Sequence, residues 1–129
     1  MIITVPTIIE NGTRRADAPD PHTLVEDMGD TMRVRVESTP EIERWAVEQG
    51  YHVPDHVDPG HLMVALLNFD EALFDAIEAA IESDKQVRAA MRASFVSRHS
   101  LMLAGFCQQF GVTEEQKNAL FVAAYLLRL

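Results

Sequence analysis

A chain of 129 residues with 47% hydrophobic content has material for one domain with a real core, or for a small domain plus an arm, and is too apolar to be disordered overall. Its single cysteine, Cys107, excludes an intrachain disulfide and any cysteine cluster for zinc or iron–sulfur chemistry, and so points to a reducing compartment. The net charge of −9 divides as −7 over residues 1–60 and −2 over residues 61–129, and the few, outnumbered Lys and Arg argue against nonspecific nucleic-acid binding and against adhesion to anionic membranes.

Residues 1–9 (MIITVPTII) are rich in β-branched side chains, but Pro6 removes a ladder donor. The segment is therefore predicted to be an edge strand or an extended arm lying on a neighbour. Residues 11–30 turn polar, with breakers at Asn11-Gly12, Ala18-Pro19, Asp20-Pro21 and Met28-Gly29. They predict a long loop of the kind that wraps a partner or serves as a linker. The Arg14-Arg15 pair within it has no assigned role, and an internal salt bridge or a rim contact fits it better than a processing or phosphate site.

Residues 31–38 (TMRVRVES) alternate, with Met32, Val34 and Val36 on one face and Arg33, Arg35 and Glu37 on the other, as in a half-buried strand. A short helix follows, with Thr39 as N-cap, Pro40 at the first position, Glu41 and Glu43 at the positive end of the dipole and Gly50 as the stop. Ile42, Trp45, Ala46 and Gln49 share a face, and Trp45 is the expected anchor on the strand. Residues 51–60 (YHVPDHVDPG) read as the joint between two parts, 1–58 and 59–129.

Helical signals dominate from His61 onward. Asn68 with Glu71, Ser83 with Gln86, and Thr113 with Gln116 match the capping-box spacing. They predict helices over residues 69–82, 84–98 and 114–127, with shorter ones over 59–67 and 100–110; whether residues 97–100 break a longer helix is left open. Phe69, Leu73, Ile77 and Ile81, continued by Val87, Met91 and Phe95, form the expected core stripe. Glu71, Asp75, Glu78 and Glu82 line one helix and Lys85, Arg88 and Arg92 the next. The first reading of these faces is solvated surface with a few weak pairs across the helix hairpin; the second is that one stripe addresses a neighbouring copy. Residues 119–129 (ALFVAAYLLRL) carry one charge, so this apolar end requires a cover, either the chain's own core or another subunit. The expected fold class is α+β: an N-terminal extended arm with β-strands, then a C-terminal bundle of three to five helices. No basic start precedes an apolar run, and no apolar segment reaches the roughly 20 residues that span a bilayer, so the text reads as a soluble protein without a signal peptide.

The residues with ligand chemistry are His52, Asp55, His56, Asp58 and His61. Three imidazoles could occupy three corners around zinc, nickel or copper, making His52, His56 and His61 the candidate metal ligands. Pro54 and Pro59 break the helical spacing that would bring them together, so the reading adopted is an exposed loop with Asp58-Pro59 starting the next helix and no metal. Cys107 sits among apolar neighbours and reads as a buried small hydrophobe. Paired acids such as Asp17 with Asp20, or Asp55 with Asp58, lack a partner to shift their pKa values, and no nucleophile elbow, phosphate loop or dinucleotide fingerprint occurs. An enzyme is not expected, and neither is a cofactor.

Residues 76–83 (AIEAAIES), 87–100 (VRAAMRASFVSRHS) and 111–127 (GVTEEQKNALFVAAYLL) resemble small proteins of tailed bacteriophages and prophages encoded near tail-tip or tail-fibre genes. Those share a helix, a helix ending in a basic segment, an apolar helix, and a closing helix that begins G-x-T, acids, A-L-F. The likeness covers roughly the last 60 residues and consists of helical patterning. Where such relatives often carry a proline after the basic segment, this chain has Ser100. The resemblance implies a structural or adaptor role in the virion, in the phage tail, for a protein made in the host cytoplasm, and carries over no catalytic residues. The implied partners are other virion proteins or copies of itself in an oligomeric assembly, with no nucleic acid and no membrane. Ile2, Ile3, Val5, Ile8, Phe121, Tyr125 and Leu129 are the expected contact residues. Two alternatives stand beside this reading: a small acidic regulator or inhibitor that binds a host protein through the front half, and a tail-fibre assembly chaperone absent from the finished particle.

Overall fold

The computed structural model describes residues 1–127 and is α+β, with a curled four-stranded antiparallel sheet followed by helices. Its contacts divide it into a first unit, Met1–His52, and a second that begins at Val53. Each unit has its own core.

In the first unit the strands are β1 (Ile2–Glu10), β2 (Thr13–Ala16), β3 (His22–Asp27) and β4 (Thr31–Val36), in the spatial order β2-β1-β4-β3. Two expectations are corrected here. The polar stretch 11–30 is not a long loop, because it contains β2 and β3. The reason is local: Asn11 and Gly12 both take positive φ, 51° and 76°, and so close a two-residue hairpin in which Glu10 pairs with Thr13. The initial segment is neither an arm nor an edge strand. β1 is central, and Pro6 stands where it changes partner: Ile2 through Pro6 pair with β4, whereas Thr7 through Glu10 pair with β2. The proline's carbonyl accepts the Asp17 amide at 3.0 Å, just beyond the end of β2, so its missing donor interrupts no ladder bond.

The alternation read in residues 31–36 is present, with Met32, Val34 and Val36 buried. They join Ile3, Val5, Ala16 and Ala46 in the core of this unit. Helix α1 (Pro40–Glu48) starts as expected, the Thr39 hydroxyl accepting the Ile42 amide at 3.2 Å. Its Trp45 and Ile42 pack on the sheet core, and the Trp45 ring meets Tyr51 edge-on, centroids 5.6 Å apart.

The second unit holds the two-stranded pair β5 (His56–Val57) and β6 (Val96–Ser97) and the helices α2 (Pro59–Phe69), α3 (Glu71–Ser83), α4 (Lys85–Arg92), α5 (Leu101–Phe110) and α6 (Glu114–Leu126). The capping box at Thr113 forms in both directions, with Gln116 N donating to Thr113 Oγ1 at 3.1 Å and Thr113 N donating to Gln116 Oε1 at 2.9 Å. The other two expected boxes do not form. Asp70 and Asp84, each extended and directly before its helix, cap α3 and α4 by accepting two amides apiece, leaving Asn68 and Ser83 without that role. Helix α4 stops at Arg92, short of residue 98, because Val96 and Ser97 turn extended to pair with β5 and Ser100 caps α5. Gly111, at φ 67°, closes α5 in the left-handed region.

The core of this unit gathers Leu62, Leu66, Leu73, Ile77, Val96, Leu103, Cys107, Leu120, Phe121 and Ala124 among others. Leu73, Ile77 and Val87 of the expected stripe are buried and Ile81 and Met91 pack partly, but its two ends are not core: Phe69 is 42% exposed and Phe95 57%. Helix α6 lays Leu120, Phe121 and Ala124 into this core, so the chain itself covers its apolar closing helix. Among the described residues no helix is long and apolar enough to cross a membrane.

Candidate functional site

Three of the five ligand-type residues of the joint, Asp55, His56 and Asp58, are engaged separately. Asp58 caps α2, accepting the amides of Gly60 and His61 at 2.8 and 3.1 Å. Asp55 accepts a hydrogen bond from Arg98 Nη2 at 3.0 Å and lies 3.6 Å from His99 Nε2. His56 packs its ring edge-on against Phe95, centroids 4.7 Å apart. His52 ends the first unit, whereas His56 and His61 belong to the second. Among the described residues no group of three or more His, Cys, Asp or Glu side chains is placed to hold a metal ion.

Arg98 ties three elements of the second unit together. Its Nη1 donates to Asn118 Oδ1 at 2.8 Å, its Nη2 to Asp55, and its amide to the Asp55 carbonyl at 2.7 Å, which fastens β6 to β5 and to α6. Cys107 is buried in the core, and burial pushes its thiol up, opposed by the Lys117 ammonium and reinforced by Glu114. A thiol so held is a poor nucleophile near neutral pH. The Arg14-Arg15 pair takes the structural role: Arg14 binds Asp27 and Arg15 Nε donates to Glu10 at 2.7 Å. His22 Nδ1 lies 3.0 Å from Asp20 Oδ1 but outside hydrogen-bonding geometry, so that contact counts only when the imidazole is charged.

Three of the expected contact residues are core and one is partly buried. Ile3, Val5 and Phe121 are 2%, 0% and 0% exposed because the two cores enclose them, and Tyr125 packs against the second core. Ile2 remains exposed and Ile8 half-buried; Leu129 lies outside the described residues. An open groove of about 310 Å³ runs between α2 and α6, floored by Ala65 and Leu120, walled by Phe69, Ala119 and Ala123, and edged by the amides of Asn68 and Gln116. Leu67, 45% exposed, sits beside it in sequence, and Leu101, 90% exposed, opens α5. Sequence reasoning assigned Phe69 to the core, read Asn68 and Gln116 as capping residues, and gave none of the lining residues a contact role. The available signal was the alanine pair Ala119 and Ala123, one turn apart on the face of α6 opposite its buried residues.

The charged faces of α3 and α4 do not pair across their hairpin. Arg88 instead donates from Nε to the Ile81 carbonyl at 2.9 Å and from Nη2 to the Glu82 carbonyl, closing the negative end of α3. No family model, no curated protein and no solved structure matches this chain.

Proposed function

We propose that this chain is a non-enzymatic structural or adaptor component of a tailed-phage particle, working in the tail through contacts with other particle proteins or with copies of itself. The observation that carries the reading is the open apolar groove between α2 and α6, with Phe69 at its wall and Asn68 and Gln116 at its rim. An apolar floor with a polar edge is the anatomy of a surface that receives another polypeptide. The tail assignment rests on the resemblance of residues 76–83, 87–100 and 111–127 to small tail-associated phage proteins. Asp58 serves as a helix cap, Asp55 as a partner of Arg98 and Cys107 as core packing.

A nucleic-acid mimic would need dense, unpaired carboxylates on the front half. Glu10, Glu26 and Asp27 are each paired with an arginine, at 2.7, 3.3 and 2.9 Å, which lowers that density. Quantitative mass spectrometry of purified particles tests the proposal. A fixed copy number per particle is the expected result; absence from particles whose assembly requires the protein would favour the chaperone reading, and absence without any requirement would sink both.

A further inference from the structure

In the helical unit the described cations are unevenly engaged. Arg98 holds Asp55 and Asn118, Lys117 pairs with Glu114 at 3.1 Å, and Arg88 closes α3. Lys85 and Arg92 are exposed and make no ion pair or hydrogen bond among the described residues. They stand seven residues apart on one face of α4, about 10.5 Å along its axis, with exposed Ala89 between them. Helix α3 shows the complementary face: Asp75 and Glu82 are also seven residues apart, exposed and unpaired, with exposed Ala79 between them, and Glu71 and Glu78 repeat the same spacing alongside. The two faces match in sign and in spacing, and the small side chain at the middle of each lets two helix backbones approach closely. They do not serve each other within one chain, because the hairpin turns its apolar sides together through Ile77, Ile81, Val87 and Met91.

We propose that the occupant of the basic α4 face is the acidic α3 face of a second copy of this chain. Charge complementarity selects the partner. The net charge of −9 disfavours approach of two copies in general, and a contact that sets a local positive face against a negative one relieves that repulsion. The α3–α4 hairpin of each copy carries both faces, so the contact either repeats from copy to copy or closes reciprocally in a pair. The inference deepens the assembly reading above and rests on it for its biological setting, but its test does not need particles.

The experiment is sedimentation of the full chain over a concentration series at low and high salt, with three variants. Lys85→Glu/Arg92→Glu and Asp75→Lys/Glu82→Lys each make the two faces alike in sign; the fourfold swap restores complementarity at the wild-type net charge. The expected result is self-association of the wild type that weakens with salt, a loss of about tenfold or more in affinity for each twofold variant, and recovery in the fourfold swap. The fourfold swap should also fail to co-assemble with the wild type. Far-ultraviolet circular dichroism keeps misfolding apart from lost association, since all four positions are exposed. A wild type that stays monomeric at low salt, or associates indifferently to the twofold variants, overturns the proposal, as does a monomer that instead takes up a different protein one to one. Self-association by a chain absent from particles would sink the particle reading and leave this contact standing.

Discussion

Arg14 and Asp27 join the two outermost strands of the first sheet. The guanidinium of β2 donates from Nη1 and Nη2 to the two carboxylate oxygens of β3, both at 2.9 Å, and Nη2 also reaches the Gly29 carbonyl at 2.7 Å. A flat four-stranded sheet would hold these strands too far apart for a side chain to bridge. The curl of the sheet brings them together, and the bidentate pair holds that curl in place.

The pH dependence follows from the state of Asp27. Its carboxyl is held below the ordinary carboxylate range, first by the Gly29 amide that donates to it and then by Arg14. A depressed folded-state pKa contributes stability that is present above the unfolded pKa and lost as pH falls through the folded one. Asp27→Asn should therefore lower the melting temperature at neutral pH and narrow its difference from the wild type as the solution is made acidic. Thermal melts of both proteins from neutral to strongly acidic pH check this; a constant difference would remove Asp27 from the acid response.

Arg98 carries the corresponding role in the second unit. Replacing it with Met keeps the aliphatic stem but removes the guanidinium that donates to the Asn118 carbonyl and to the Asp55 carboxylate. Because Arg98 is only 18% exposed in its side chain while Asp55 is 52% exposed, most of the cost comes from the Asn118 side. The expected destabilisation is about 2 kcal/mol for Arg98→Met and under about 1 kcal/mol for Asp55→Asn. Urea unfolding with unchanged m-values would measure both, and equal losses would contradict this division.

The elements legible in the text were those whose signal is local and uninterrupted. The strand 31–36 announced itself by alternation, and α1 by Thr39-Pro40; Thr113 and Gln116 marked a helix start that forms as written. The helical second half was visible for the same reason. What stayed hidden depended on distant partners. β2 and β3 lie in polar text whose pattern acquires meaning only once β1 and β4 are beside it. Pro6 argued for an edge because a proline's cost depends on which flank of the strand is bonded at that position, and that is a property of the pairing. The two missed caps show a competition between neighbours: Asn68 and Ser83 had suitable side chains, but Asp70 and Asp84 sat closer to the first helical residue and in the extended conformation a cap requires. Phe69 continued a faultless stripe, yet it lies at the junction of α2 with α3, where the stripe runs off the end of the core. The alanine pair Ala119 and Ala123 marked only one wall of the candidate groove, and the rest stayed hidden because α2 and α6, far apart in sequence, build it together.

Two large apolar residues of this unit separate packing from surface. Phe121 is fully enclosed, so Phe121→Ala removes its contacts and leaves a cavity, at an expected cost of about 3–5 kcal/mol. Leu101 is 90% exposed at the start of α5, and Leu101→Gln should change stability by less than about 0.5 kcal/mol. Denaturant titration distinguishes them directly, and a large loss for Leu101→Gln would mean that another surface already covers it in solution.

The groove between α2 and α6 yields the prediction that bears most directly on function. Ala123 is exposed on its wall and takes no part in the helical core, so Ala123→Glu should leave the fold intact, with stability within about 0.5 kcal/mol of the wild type. The same substitution puts a charge where an incoming apolar side chain would sit, and a carboxylate buried there without a partner is unfavourable enough to exclude it. If the groove receives a particle protein, Ala123→Glu should fall to a small fraction of the wild-type copy number in purified particles while remaining soluble and folded in the lysate. Thr23→Ser, at an exposed position of β3 outside both proposed contact surfaces, should leave that copy number unchanged and controls for substitution as such. Normal incorporation of Ala123→Glu would exclude the groove from the contact and leave the remaining exposed apolar side chains, Leu101 and Ile9 foremost, as the surface through which the protein is held.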